Sequence, residues 1–197
     1  MTKRTRAPEA EMVGIIGGTG FRPENVEGPP HIVETEYGQA WVQYARLAET
    51  PVAFLPRHGP EHAVPPHRIN YRANIAALKG LGVRAIMASA AVGGLRPELA
   101  SGTFMVVDQF LDFTKSRAAT FFDGQEGKVR HADVTQPYCA RLRAVLLQAG
   151  QQAQIALLDG GTYVCAEGPR FESAAEIRMF ASLGGHVVGM TGVPEVV

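Results

Sequence analysis

Apolar runs in this chain repeatedly end in glycine, threonine or arginine: GGTG at 17–20, RHG at 57–59, SAAVGGL at 89–95 and GMTG at 189–192. Such ends suit an anion. Backbone N–H groups exposed by glycine form an anion-holding concavity, and the Thr19 and Thr191 hydroxyls add donors. Arg57 carries a planar guanidinium able to give two parallel hydrogen bonds to phosphate oxygens. The Ala90–Gly93 backbone lets a ligand approach with little side-chain obstruction. A plainer reading stands beside this one: Gly17, Gly18 and Gly20 permit positive φ in a tight turn, and an arginine after a strand often serves a surface ion pair.

Two familiar phosphate motifs are excluded by spacing. A dinucleotide fingerprint needs a third glycine where Pro23 stands, and a Walker loop needs a lysine that does not follow Gly20. A different chemistry is offered by AEGPRFESAAEI, residues 166–177, where Phe171 precedes Glu172 at the start of a helical pattern. An aromatic face stacks on a planar base, and a carboxylate accepts from ring N–H and exocyclic amino groups. The alternatives are a core aromatic and a helix N-terminal acid. His58, His62 and His67 raise a metal question, but the surrounding glycine and prolines oppose a rigid helical ligand pair and no clear third ligand follows, so no metal is expected and hydrogen-bonding or anion-contacting histidines are the favoured reading.

The elements that must position these residues follow from hydrophobic period. Apolar runs fit strands at Met12–Ile16, Val52–Leu55, Val83–Ser89, Phe104–Val107, Thr162–Ala166 and His186–Gly189, several continuous enough for burial on both faces. Helical patterns lie between them at Tyr71–Leu81, Pro137–Ala149 and Glu172–Leu183, the first and last stopped by glycine. Alternating strands and helices predict an α/β fold with a mixed central β-sheet flanked by helices, and ligands of such sheets gather outside the carboxyl ends of strands.

The 197 residues are 46% hydrophobic, with 19 basic and 19 acidic side chains. One good core can be buried, and zero net charge argues against nucleic acid or an anionic membrane as partner. Cys139 and Cys165 lack C-x-x-C spacing, so no disulfide framework is signalled and a reducing, cytoplasmic setting is expected. Residues 1–11 read as a flexible N-terminal lead-in without a signal-peptide apolar region, and 12–197 as one domain.

Taken in order, GIIGGTG, RHGPEHAVPPHRINYRANIAALKGLG, AVGGL, EGPRFESAAEIRM and GMTGVPEVV closely resemble the trimeric purine nucleoside phosphorylase and methylthioadenosine phosphorylase family, from about residue 12 onward. The resemblance implies a nucleoside phosphorylase-like fold and phosphorolysis of a purine nucleoside to a free base and a ribose 1-phosphate or its 5-methylthio analogue. No cofactor is implied; inorganic phosphate is the co-substrate. By motif, phosphate ligands are Thr19, Arg57, His58, Ala91 and Thr191, with Ala90 close by. The same resemblance implies that Phe171, Glu172 and Val188 line the base pocket and that Met190 packs near the ribose. His131 matches a histidine that reaches the neighbouring subunit's site near the 5′ substituent, which makes a homotrimer relevant.

Phosphate must be held in line with C1′ while the glycosidic bond loosens, and purine N7 must receive a proton or strong hydrogen bond as it leaves. The family's Asp or Asn for that role lies beyond Val197, the last residue of the PEVV segment in which this sequence stops. The expectation is therefore a C-terminally incomplete domain of poor activity, with the catalytic residue not among these 197. Glu172 favours a 6-oxopurine, whose N1–H donates, because adenine N1 is an acceptor. The RHG to RINYRAN segment and His131 favour a 5′-methylthio nucleoside; the two pointers meet in methylthioinosine or methylthioadenosine. The alternatives are an inosine or guanosine phosphorylase, a nucleoside hydrolase, or a non-catalytic binding chain.

Overall fold

A computed structural model describes residues 11–21, 26, 28–124, 127 and 129–197. Residues 1–10 of the expected lead-in lie outside the described residues. The chain divides into two compact units, one of residues 1–63 and 73–89, the other of residues 64–72 and 90–197.

The first unit is built on a five-stranded sheet of β1 (Val13–Gly17), β2 (His31–Thr35), β3 (Gly38–Leu47), β4 (Thr50–Pro56) and β5 (Ala85–Ala88), in the order β2-β3-β4-β1-β5. Strand β1 runs parallel to both its neighbours, with Gly17 opposite Pro56 and Ile16 opposite both Leu55 and Ala88. Three carboxyl ends thus share one edge, which brings the loops after Gly17, Pro56 and Ala88 together. Helix α1 (Tyr71–Gly80) contributes Ala77 and Leu78, which pack with Ile16, Ala40, Val42, Ala53 and Leu55 into the core. Alternation along β3 explains Ala40 and Val42: successive strand side chains point to opposite faces.

The β2–β3 hairpin lies outside the predicted strands. Its two-residue turn, Glu36-Tyr37, carries no Asn-Gly or Asp-Gly signal, and β2 is a largely exposed edge strand. The turn is closed instead by Thr35, whose hydroxyl donates to the Gly38 carbonyl at 2.7 Å and accepts from the Tyr37 N–H at 3.1 Å.

The second unit holds β6 (Gly93–Gly94), β7 (Phe104–Val106), β8 (Gln109–Phe113), β9 (Leu157–Asp159), β10 (Thr162–Ala166) and β11 (Val187–Gly189). A four-stranded sheet has the order β6-β11-β10-β8, and β7 pairs with β9. Strand β10 is covered on both faces: Val164 and Ala166 pack with Leu95, Phe180 and Val188, while Tyr163 and Cys165 pack with Val187 and Val193. That explains its unbroken apolar run. The mixed α/β class holds, with the strands distributed over separate hydrogen-bonded sheets.

Helix α2 spans Ala140–Gln152, α3 Ala174–Ser182, and the short α4 Gly192–Glu195. The expected helix over 137–149 begins three residues later. That over 172–183 begins at Ala174 because Ser173 is its cap: the Ser173 hydroxyl accepts from the Glu176 N–H, and the Glu176 carboxylate accepts from the Ser173 N–H at 2.7 Å. The S-x-x-E spacing of this capping box is visible in the sequence. Phe180 on α3 meets the Phe113 ring with centroids 4.8 Å apart. No helix among the described residues is long and apolar enough to cross a membrane.

Candidate functional site

The predicted site residues divide between the units: Thr19, Arg57 and His58 in the first, Ala90, Ala91, His131, Phe171, Glu172, Val188, Met190 and Thr191 in the second.

At the carboxyl edge of the first unit, the Arg57 N–H donates to the Gly17 carbonyl at 3.0 Å and the Ser89 N–H to the Ile16 carbonyl at 3.0 Å. These bonds extend the parallel pairing one residue past each strand and fix the three loops against each other. Arg57 is 3% exposed, and its Nη1 donates to the Ser89 carbonyl at 2.7 Å. It is not a surface ion-pair arginine. His58 is buried beside it, its ring 4.5 Å from that of His62. Thr19, exposed on the turn closed by the Phe21 N–H to Gly18 carbonyl bond, places Oγ1 3.1 Å from His62 Nε2. The Ser89 hydroxyl is buried with no hydrogen-bond partner among the described residues.

Gly17 has a packing reason. A Cβ there would lie 2.6 Å from the Phe54 ring and 2.8 Å from the Phe21 carbonyl oxygen. Gly17→Ala is expected to destabilise the protein by about 2 kcal/mol through overpacking, read as a lower urea midpoint. An unchanged midpoint would mean that ring and loop move aside at no cost.

In the second unit, Thr191 is buried, and the backbone N–H groups of Thr191 and Gly192 donate to the Tyr163 phenol oxygen at 3.1 and 3.2 Å. Part of the GMTG backbone therefore serves the fold. Gly192 is required because a Cβ would lie 2.7 Å from the Tyr163 ring. Burial, with Cys165 adjacent, pushes the Tyr163 hydroxyl up to about 12, and burial raises the Cys165 thiol, so both stay protonated near neutral pH. Ala90 and Ala91 are exposed on the loop before β6, and His131 is exposed in the irregular stretch before α2.

Val197 is an aliphatic residue, 41% exposed, whose N–H donates to the Pro194 carbonyl at 3.0 Å, so it closes the turn that follows α4 and brings no proton-transfer group.

Phe171 is 86% exposed, which rules out the core-aromatic alternative. Glu172 precedes the α3 cap and is not a helical residue; its Oε1 is buried without a hydrogen-bond partner among the described residues. It lines a cavity of about 220 Å³ with Phe113, Lys115, Glu167 and Arg170. The loop between β10 and α3 is tied at both ends. Arg170 donates to both Glu176 oxygens, at 2.7 and 2.8 Å, and to the Phe171 carbonyl at 3.0 Å. Glu167 accepts from the Ser116 hydroxyl at 2.6 Å and the Lys115 N–H at 2.8 Å. Partial burial pushes the Glu167 carboxyl up, but these bonds and Arg117 outweigh it and hold it below the usual carboxylate range. Met190 packs over Gly168 so closely that a Cβ there would lie 2.6 Å from its Sδ. Val188 is buried in the apolar cluster with Val164 and Phe180.

Sequence reasoning overlooked Arg117, whose side chain is 2% exposed. Its Nη1 donates to the Val193 carbonyl at 2.6 Å and to the Tyr71 hydroxyl at 3.1 Å, and its Nη2 to the Glu167 carbonyl at 2.7 Å. The stretch FTKSRAATFF has no period that marks this arginine as internal. From spacing, His62 comes into view as a poor metal ligand and is favoured as a hydrogen-bonding or anion-contacting histidine; the structure places its Nε2 3.1 Å from Thr19 Oγ1. Among the described residues no group of three or more His, Cys, Asp or Glu is placed to hold a metal ion.

Comparison with known proteins matches residues 12–197 to the Phosphorylase superfamily. The chain belongs to this superfamily. As a superfamily member it is 47% identical to the 6-oxopurine nucleoside phosphorylase of Pyrococcus furiosus, over 94% of this chain and 72% of that one. It is 43% identical to the S-methyl-5'-thioadenosine phosphorylase of Thermofilum pendens, over 95% of this chain and 72% of the relative. In three dimensions this phosphorylase-superfamily chain resembles methylthioadenosine phosphorylase from Schistosoma mansoni in its apo form, with a TM-score of 0.86 and 34% identity over 94% of this chain and 74% of that one.

Proposed function

We propose that this chain carries out phosphorolysis of a purine nucleoside bearing a 6-oxo base, with inorganic phosphate as co-substrate and no cofactor. The observation that carries the base assignment is Glu172, whose Oε1 is buried and unpartnered beside the exposed ring of Phe171 in sequence. Such an oxygen is satisfied by the N1–H of hypoxanthine or guanine and faces a lone pair if the base is adenine. The phosphate ligands in this reading are those the family resemblance implies, Thr19, Arg57, His58, Ala90, Ala91 and Thr191. Phe171 stacks on the base, Val188 and Met190 support base and ribose, and phosphate itself attacks C1′, so no protein nucleophile is used. The high-lying Cys165 and Tyr163 fit that absence.

The 5′ side is carried by likeness to methylthioadenosine phosphorylases. A 5′-methylthio substituent on a 6-oxopurine nucleoside, methylthioinosine, satisfies both pointers. The homotrimer with His131 in the neighbour's site, and a cytoplasmic setting, belong to the same proposal.

Incubation with inosine, methylthioinosine and methylthioadenosine, each with and without phosphate, tests it. Hypoxanthine release that requires phosphate is expected. Glu172→Gln, which presents an amide N–H as well as an oxygen, is expected to lower the 6-oxo over 6-amino preference by about tenfold or more, the worth of one charge-assisted hydrogen bond. Faster cleavage of methylthioadenosine by the unmodified protein would refute the base assignment, and cleavage without phosphate would point to a hydrolase.

A further inference from the structure

The inference rests on the phosphate reading and concerns how Thr19 comes to face the anion as a donor. A hydroxyl has one proton. Thr19 Oγ1 lies 3.1 Å from His62 Nε2, and that one distance has two opposite meanings. If Nε2 is an acceptor, Thr19 gives its proton to the imidazole and turns only lone pairs toward phosphate. If Nε2 carries a proton and donates, the Thr19 O–H remains for the anion.

We propose that His62 donates from Nε2 to Thr19 Oγ1 and so turns the Thr19 hydroxyl into a phosphate donor; His62 is a positioning residue for phosphate. Both the neutral Nε2–H ring and the doubly protonated ring act in this way. The backbone supports a dedicated role. His62 has φ +53°, in the left-handed region that costs a residue with a Cβ and is favoured by Gly, Asn and Asp. It is held there by its own N–H, which donates to the Gly59 carbonyl at 3.1 Å, while the Gly59 N–H donates to the Pro56 carbonyl at 2.9 Å. Two consecutive tight turns after β4 thus carry the ring back to Thr19 at the end of β1, where it also lies against the His58 ring at 46°. His62 is exposed, so packing in the core does not explain a histidine at this φ. Its ring contacts with Thr19 and His58 do.

Titration calorimetry with inorganic phosphate, alongside melting temperatures in phosphate-free buffer, tests this on the full chain. His62→Gly removes the ring and relieves the positive φ, so melting is expected to hold or rise while phosphate affinity falls about five- to tenfold. His62→Gln keeps an N–H donor in reach and is expected to stay within about twofold of the unmodified protein. His62→Glu offers acceptors and a negative charge and is expected to bind phosphate more weakly than His62→Gly. In a cycle with Thr19→Ala, the double variant is expected to lose no more than Thr19→Ala alone. Unchanged affinity in His62→Gly, or losses that multiply in the cycle, while Thr19→Ala still weakens binding, would overturn the role of His62 and leave the phosphate site standing. Unchanged affinity in both Thr19→Ala and Arg57→Ala would instead bring down the phosphate reading itself, and this inference with it.

Discussion

Arg57→Ala is expected to weaken phosphate binding by about 100-fold while nucleoside binding changes by no more than about threefold. The magnitude follows from chemistry: a guanidinium gives charge-assisted hydrogen bonds to phosphate worth about 1.5–3 kcal/mol each, and about 2.7 kcal/mol is a hundredfold. The selectivity follows from position. Arg57 stands on the first unit's sheet edge with Thr19 and His58, whereas the proposed base ligands Phe171 and Glu172 belong to the second unit. A secondary cost of about 1 kcal/mol in stability is expected because the Ser89 carbonyl loses its 2.7 Å donor. Arg57→Lys keeps the charge but not the fork, and is expected to recover only part of the affinity. Calorimetric titration of phosphate and of nucleoside separately checks this. Equal losses for the two ligands would show that Arg57 holds the fold rather than the anion.

Arg117→Ala is expected to lower stability by about 3–5 kcal/mol, because removing one member of a buried charged network leaves its partners unpaired. The partners are specific. The carbonyls of Val193 and Glu167 lose donors at 2.6 and 2.7 Å, the Tyr71 hydroxyl loses one at 3.1 Å, and the Glu167 carboxylate loses a cation whose Nε lies 3.6 Å away. The guanidinium also sits over the Tyr71 ring, 5.3 Å from its centroid. For a chain of this length a melting-point drop of about 10 °C follows. Because Glu167 opens the loop that carries Phe171 and Glu172, nucleoside affinity is expected to fall as well, with phosphate affinity less affected. A melting point within about 2 °C of the unmodified protein would mean that water replaces the guanidinium at these carbonyls.

Much of the fold was legible because its strands are covered on both faces. Continuous apolar runs such as Gly14-Ile15-Ile16 and Tyr163 to Ala166 leave little choice but a buried strand, and the three longer helices show their period. The largely exposed β2 and the polar-interrupted β8 give no such signal; in β8, Gln109 and Asp112 break the pattern. The chemistry at strand ends was also legible: residue types with donors sit immediately after the apolar runs, and parallel strands must place those ends together.

Local pattern was thus enough for most strands and helices, and it marked Thr19, Arg57 and Thr191 as candidate anion ligands and Phe171 and Glu172 as candidates for base recognition, because period and residue type are read along the chain. Which of these groups is committed to the fold, and which is poised for a ligand, came from tertiary contacts alone. They turn the Thr191 and Gly192 N–H groups toward Tyr163, bury Arg57 against Ser89, and make Arg117, in an unpatterned stretch, the donor to the Val193, Ala166 and Glu167 carbonyls. They also leave Glu172 Oε1 unpaired and set His62 against Thr19. The reason is physical: a polar group's role depends on which partner reaches it once water is excluded, and partners 43 residues apart, as with Thr19 and His62, leave no trace in local spacing.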